Sequence, residues 1–201
     1  MVISGIPLME AFHTIQGEGY HQGKAAFFIR LAGCDVGCHW CDVKESWDVA
    51  AHPVVPVEKI VGMGLSRPAR IAVITGGEPL MHDLGELTSA LKKAGFSIHI
   101  ETSGVYPLTG EFDWICFSPK KFKKPHPVIF DRAHELKVIV YNQSDLDWAV
   151  QFEAMVNPEC RLYLQPEWSR SERMIQVITA FILENPQWEI SLQIHKYMDI
   201  R

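Results

Sequence analysis

The chain repeats one alternation: short β-rich apolar runs separated by helical or loop stretches. The runs are AAFFIRLAG from Ala25, RIAVITGG from Arg70, FSIHIETSG from Phe96, DWICFSPK from Asp113, ELKVIVYN from Glu135, RLYLQP from Arg161 and WEISLQIHKY from Trp188. Helical patterns are expected over Val57 to Met63, Leu84 to Ala94, Asp145 to Met155 and Glu172 to Leu183. In the second of these, Leu84, Leu87 and Leu91 keep helical spacing, and KKAG adds basic residues and a terminating glycine. Strands that alternate with helices build right-handed βαβ units and a mainly parallel sheet. Thr102 to Asp113 and Pro119 to Glu135 lack a helical pattern, and 201 residues are too few for eight full βα units, which need about 250. The expected class is therefore α/β, either a partial, thinned (β/α) barrel or an open curved sheet, with ligands at the C-terminal ends of the strands.

No repeat, low-complexity tract or flexible linker divides the chain, so residues 1–201 are read as one domain. Hydrophobic residues at 47% and charged residues at 21% suit a globular chain, and no apolar run approaches the roughly 20 residues of a membrane span. The opening MVISGIPLMEAF lacks the basic and apolar regions of a secretory signal, so a cytoplasmic location with reduced thiols is expected. A net charge of −5 argues against nonspecific nucleic-acid binding. The one basic run, SPKKFKKPHP from Ser118, reads as a solvated loop, with a local anion site as the alternative.

Chemistry concentrates in LAGCDVGCHWCD, where Cys34, Cys38 and Cys41 fall within eight positions. A disulfide would strand one of the three, and a reducing compartment opposes it. Zinc prefers four closed ligands, and the only local fourth, His39, is wedged between Cys38 and Trp40. An iron–sulfur cubane normally takes four thiolates, so three leave one iron open to an outside ligand. Gly33 and Gly37 would let the loop wrap closely around such a cluster. Cys116 and Cys160 sit in strand-like apolar runs and read as core.

C-x3-C-x2-C with Trp40 before the last cysteine resembles the cluster loop of radical S-adenosylmethionine enzymes. The resemblance implies a [4Fe-4S] cluster held by Cys34, Cys38 and Cys41, with S-adenosylmethionine on the open iron. It extends to VITGGEPLM, an apolar strand entering a double-glycine turn and a Pro-led helix, which is similar to the family's GGE motif. Trp40, Cys41, Asp42, Gly77 and Glu78 are then cofactor contacts. The strand exits Ser118, Pro119, Lys120 and Gln165, Pro166, Glu167, Trp168 match further cofactor contacts in order and spacing.

Across nearly the whole chain, EAFHTIQGEGYHQGKAAFFIRLAGC, TGGEP, IETSG, DWICFSPK, ELKV and WEISLQIHKYMDI resemble the 7-carboxy-7-deazaguanine synthase family. That resemblance implies radical ring contraction of 6-carboxy-5,6,7,8-tetrahydropterin with loss of ammonia. Ile15, Gln16 and Gly17 would meet the pterin edge, Arg30 its carboxylate, and Thr75 the substrate beside the glycine turn. The C-terminal tail would bring Arg201 to the substrate, although Arg replaces the small residue or proline expected there. It also implies a homodimer, an electron donor such as flavodoxin, and magnesium. At the magnesium-binding threonine of the family this chain has Val43, which offers no oxygen, so weaker magnesium dependence is expected. Three readings compete: a radical activase acting on a partner protein, a zinc-stabilised binding module, and an idle homologue. The first lacks a reason for TIQGEG, the second predicts colourless protein, and the retained cysteines, Arg30 and double glycine argue against the third.

Overall fold

The computed structural model describes residues 5–201; residues 1–4, part of the expected domain span and of the stretch read for a signal, lie outside the described residues. Among the described residues nine strands make one sheet: β1 (Gly5–Ile15), β2 (Ala25–Leu31), β3 (Val54–Pro56), β4 (Ile71–Gly76), β5 (Ser97–Thr102), β6 (Trp114–Phe117), β7 (Glu135–Val140), β8 (Arg161–Pro166) and β9 (Trp188–Ile190). Their spatial order is β3-β1-β2-β4-β5-β6-β7-β8-β9. All neighbours from β2 to β9 run parallel, while β1 lies antiparallel to β2 and β3. The sheet stays open, with β3 and β9 at its two edges among the described residues, and this is the expected partial barrel.

Helices α1 (Val57–Leu65), α2 (Gly85–Lys93), α3 (Val128–Arg132), α4 (Ser144–Glu153), α5 (Ser171–Glu184) and α6 (Ile194–Tyr197) complete it. Side chains alternate between the two faces of a strand, and that alternation separates core from site. Ile98 and Ile100 of β5, Leu136, Val138 and Val140 of β7, and Leu162 and Leu164 of β8 join the main apolar core with Leu87, Leu91 and Ile178 of the helices. Their strand neighbours His99, Glu101, Glu135, Lys137 and Gln165 take the other face, which is the inside of the half-barrel.

Four local expectations are corrected. Strand β1 was not foreseen, because Pro7 and a register shift between Leu8 and Glu10 break its alternation. The helix expected after TGGEP is a single 3-10 turn, Pro79–Met81. A short α3 stands inside the connection read as helix-free. Strand β9 is only three residues long: Ser191 donates its N–H to Leu164 O at 2.9 Å and its hydroxyl to Gln165 Oε1 at 2.7 Å, and the chain then turns into α6.

The segment between β1 and β2 does not form a plain hairpin turn. It enters the half-barrel and covers the polar inner face. Gln16 Nε2 donates to Glu101 Oε1 at 2.9 Å, Gly19 N–H to Ser191 Oγ at 3.0 Å and Tyr20 N–H to Glu135 Oε2 at 2.9 Å. Further along, the His21 ring lies 4.3 Å from His99 and edge-on to Trp114 at 4.6 Å. Burial, reinforced by the charges of His21 and His134 and opposed by Asp113, pushes His99 down to about 4. The same cause, burial, lowers His21 and His134.

A histidine whose folded pKa lies below its unfolded value takes up its proton first in the unfolded chain. The stability it contributes is whole above about pH 6.5 and is lost as pH falls towards 4. For His99, almost fully buried, the shift corresponds to about 3 kcal/mol at full development. We expect the urea midpoint to fall from pH 6.5 to 4.5, and to fall less steeply in His99→Gln. Parallel slopes in the two proteins would disprove the assignment.

Candidate active site

At the exit of β2 the chain turns back on itself through Gly33, at φ 107°, whose N–H donates to Ser46 O at 2.6 Å; Cys34 N–H donates to Trp47 O at 3.3 Å. Gly37, at φ 78°, supplies the second turn, and Cys41 N–H closes onto Cys38 O at 3.1 Å. All three thiols line one cavity of about 370 Å³ at the C-terminal ends of the parallel strands. Burial raises the Cys34 thiol above its usual range and pushes Cys38 up to about 11, Lys120 opposing it. The donor set, three thiols from one loop lining one cavity, is the one that fits a cluster taking three thiolates and leaving its fourth iron to an outside ligand.

The β4 exit packs directly on this loop. Gly76, at φ 133°, turns the chain, Gly77 N–H donates to Leu31 O at 3.0 Å, and Glu78 N–H to Gly33 O at 2.8 Å. A Cβ on Gly77 would collide with the Gly33 carbonyl and Cys34 Cβ, so only glycine lets the two backbones approach. Glu78 is 1% exposed, and its carboxylate accepts from Leu80 N–H at 3.1 Å, Thr102 Oγ1 at 2.5 Å, Ser103 N–H at 2.8 Å and the Ser103 hydroxyl. Those four donors fill the lone-pair directions of a carboxylate. Glu78 therefore ties the β4 exit to the β5 exit, and what the turn offers the cavity is chiefly backbone.

Polar side chains line the same cavity. Arg30 and Thr75 are register partners on β2 and β4, and both line the cavity. Arg30 Nε donates to Glu10 Oε1 at 2.8 Å, which leaves its two terminal nitrogens for another acceptor. Phe12 stacks on Phe28 at 5.5 Å and forms an apolar pad on this side of the cavity. Ile15, Gln16 and Gly17 form the rim, and a Cβ on Gly17 would overlap the His195 imidazole.

Deeper in, Lys137, 3% exposed, pairs with Glu18 and lies 3.6 Å from Glu101. Burial pushes Glu18 up, but Lys137 outweighs it and holds Glu18 low, at about 2; Lys137 itself is held well above its usual value, burial notwithstanding, by Cys116 and the three surrounding glutamates.

The structure thus brings Ile15, Gln16, Gly17, Arg30, Cys34, Cys38, Trp40, Cys41, Asp42, Thr75, Gly77, Glu78, Ser118, Lys120, Gln165 and Arg201 to one cavity. Pro119, Pro166, Glu167 and Trp168 are not among its lining. Pro166 is buried at the end of β8, the Glu167 carboxylate caps the next turn by accepting from Ser169 N–H at 3.1 Å, and Trp168 packs edge-on against Tyr197 at 5.2 Å. Arg201 reaches the cavity with its main-chain oxygen accepting from Thr14 Oγ1 at 2.8 Å and its guanidinium on Glu10 at 2.6 Å. Sequence reasoning missed Glu18, Glu101, Lys137, Gln193 and Lys196. For Glu101 and Lys137 the signal was charge placed inside otherwise apolar strand runs, IETSG and ELKV, while Glu18 stands in TIQGEG and Gln193 and Lys196 in WEISLQIHKYMDI, two stretches that carry the family resemblance.

The sequence pattern of the Radical SAM superfamily matches residues 28–120. The 7-carboxy-7-deazaguanine synthase of Flavobacterium psychrophilum is 53% identical over 97% of this chain and 92% of its own length. That of Synechocystis is 50% identical over 97% and 93%, and that of Escherichia coli K12 35% over 96% and 98%. The chain belongs to the 7-carboxy-7-deazaguanine synthase family. The crystal structure of QueE from Escherichia coli superposes with a TM-score of 0.82 at 33% identity, covering 94% of this chain and 93% of that one. Membership of the Radical SAM superfamily carries a [4Fe-4S] cluster and S-adenosylmethionine as cofactors. The superfamily stretch holds the thiols, the glycine turn and Lys120, whereas the Ile15–Gly17 rim and α6 lie outside it. The likeness to 7-carboxy-7-deazaguanine synthases extends over those parts of the cavity as well.

Proposed function

We propose that this chain is a 7-carboxy-7-deazaguanine synthase, an enzyme that contracts 6-carboxy-5,6,7,8-tetrahydropterin to 7-carboxy-7-deazaguanine and releases ammonia. The observation that carries the reading is one cavity lined both by three loop thiols and by a guanidinium, an amide and a charged carboxylate–lysine network. When bound, the cluster and S-adenosylmethionine supply a hydrogen-abstracting radical by one-electron cleavage. The protein's work is to place substrate and exclude water. In this reading Arg30 offers its free edge to the substrate carboxylate, with Glu10 fixing its orientation. Gln16, held by Glu101, and the Ile15–Gly17 backbone meet the pterin's donors and acceptors, while Phe12 and Phe28 cover the ring. Glu101 keeps accepting capacity facing the cavity, which suits it to a substrate N–H. The Gly77 backbone and Ser118 line the cofactor side.

The reading takes residues 1–201 as one domain whose two terminal segments complete the substrate site, working as a cytoplasmic homodimer that draws electrons from a carrier such as flavodoxin. Family resemblance supports these features, and no helix of the described residues is long and apolar enough to cross a membrane. The residues present offer magnesium less than the family's threonine would: Val43 lines the cavity without a side-chain oxygen, and Asp42 Oδ2 already accepts from Lys196 Nζ at 2.5 Å. No step is assigned to it.

The decisive test is anaerobic reconstitution with iron and sulfide, followed by reductant, S-adenosylmethionine and carboxytetrahydropterin, with mass spectrometry for the deazaguanine acid and an ammonia assay. A cubane signal that responds to S-adenosylmethionine without product would defeat the substrate assignment and favour an activase. Arg30→Met is expected to raise the KM for carboxypterin by about 10- to 100-fold, the value of about 1.5–3 kcal/mol for hydrogen bonds to a charged group. An unchanged KM would remove Arg30 from the substrate site.

A further inference from the structure

The cations of the cavity differ in how fully their donors are engaged. Lys137 is enclosed by Glu18 and Glu101, Arg30 and Arg201 share Glu10, and Lys120 donates to Ser118 O at 2.5 Å and Ser118 Oγ at 2.7 Å. Of the three lysines that line the cavity, Lys196 has a single oxygen partner among the described residues, Asp42 Oδ2 at 2.5 Å, and an ammonium carries three N–H donors. Its side chain is 20% exposed and lines the cavity, as does Val43.

Its position is built rather than incidental. Helix α6 is pinned to the substrate rim by Ile194 N–H donating to Gly17 O at 3.0 Å, and His195 occupies the space that the absent Gly17 side chain leaves open. The Lys196 ammonium lies 5.1 Å from the centroid of Trp168, whose ring is braced by Tyr197. Gln193 Nε2, one helical turn earlier, bridges Glu18 Oε1 at 2.9 Å and Asp42 Oδ2 at 3.5 Å. Both contacts to Asp42 fall on Oδ2, so a divalent ion on that carboxylate would sit beside the Lys196 ammonium and be repelled by it, and Val43 would offer it no side-chain oxygen.

We propose that Lys196, held over Asp42, supplies the fixed positive charge that receives an anionic oxygen of the substrate, and that this chain binds and converts its substrate without a divalent cation. The inference rests on the carboxypterin reading above. It assigns Lys196 to substrate positioning, and it gives Trp168 a role as the support of that lysine rather than as a wall of the cavity.

The test measures carboxypterin binding and product formation by the cluster-loaded protein with S-adenosylmethionine, in EDTA and in excess magnesium. Wild type is expected to show dissociation constants within about twofold in the two conditions, and Lys196→Met a loss of about tenfold or more, the value of a charge-assisted hydrogen bond. The loss should persist when Asp42→Asn removes the carboxylate that Lys196 neutralises, and the cluster's response to S-adenosylmethionine should be unchanged in Lys196→Met. Binding by wild type that collapses in EDTA and returns with magnesium would overturn the proposal. So would a Lys196→Met protein that binds normally, or a loss that vanishes with Asp42→Asn. Product that forms only with magnesium sinks the lysine proposal and leaves the proposed function standing. A protein that responds to S-adenosylmethionine yet forms no product in either condition sinks the function itself.

Discussion

Cys38→Ala is expected to abolish both the brown iron–sulfur absorbance and product formation, to background, while leaving the fold in place. With one of three thiolates gone, two protein ligands remain for a cluster that already depends on an outside ligand at its fourth iron. The loop that carries Cys38 is closed by backbone bonds, Gly33 to Ser46 and Cys41 to Cys38, which do not involve its sulfur. The apolar core of the sheet and helices contains none of the three loop cysteines. Circular dichroism and the thermal midpoint should therefore stay close to wild type. Cys116→Ala is the control: Cys116 is 3% exposed in β6, and its loss should spare the cluster. Iron retained in Cys38→Ala but lost in Cys116→Ala would assign the cluster to the wrong cysteines.

The largest effect on stability is expected from Lys137→Met. Lys137 is 3% exposed and stands among Glu18, Glu101 and Glu135 inside the half-barrel, with Glu18 itself only 14% exposed. Removing this cation leaves buried carboxylates without their closest counter-charge, which costs about 3–5 kcal/mol when one partner of a buried pair is deleted. For a domain of this size that lowers the thermal midpoint by roughly 6 to 20 °C. Adding Glu18→Gln to Lys137→Met should restore part of the loss, because the double variant no longer buries that charge. Strict additivity of the two substitutions would show that the pair does not couple. The Lys137→Met protein should also unfold more readily as pH rises through the carboxylate range, where Glu18 must now ionise without its partner.

The polar inner face is the part of the fold least visible in the primary structure. Period-two alternation in ELKV or FSIHIET reads equally well as a strand with one face in water. Only the curvature of the sheet turns that second face inward, and only the Gln16–Gly23 segment, folded into the half-barrel, closes it off. The ionic network is a product of that enclosure, since Glu18 and Lys137 are 119 positions apart. Glu78 illustrates the opposite limit. The GGE turn was legible as a site, yet its carboxylate proves to be a tie between strand exits, because its partners Thr102 and Ser103 lie 24 and 25 residues away.

Sequence alone determined what depends on neighbours along the chain: three thiols on one loop, glycines where the backbone must turn or approach closely, and strands alternating with helices. Spacing along a chain sets local geometry, so those features can be read without coordinates. Tertiary structure alone decided which charges meet. It paired Lys196 with Asp42 across 154 positions, turned Glu167 and Trp168 out of the cavity lining, and shortened the last strand so that α6 could reach the rim. These outcomes follow from a sheet that curves without closing, which brings distant segments into a shared interior where every buried charge must find a partner.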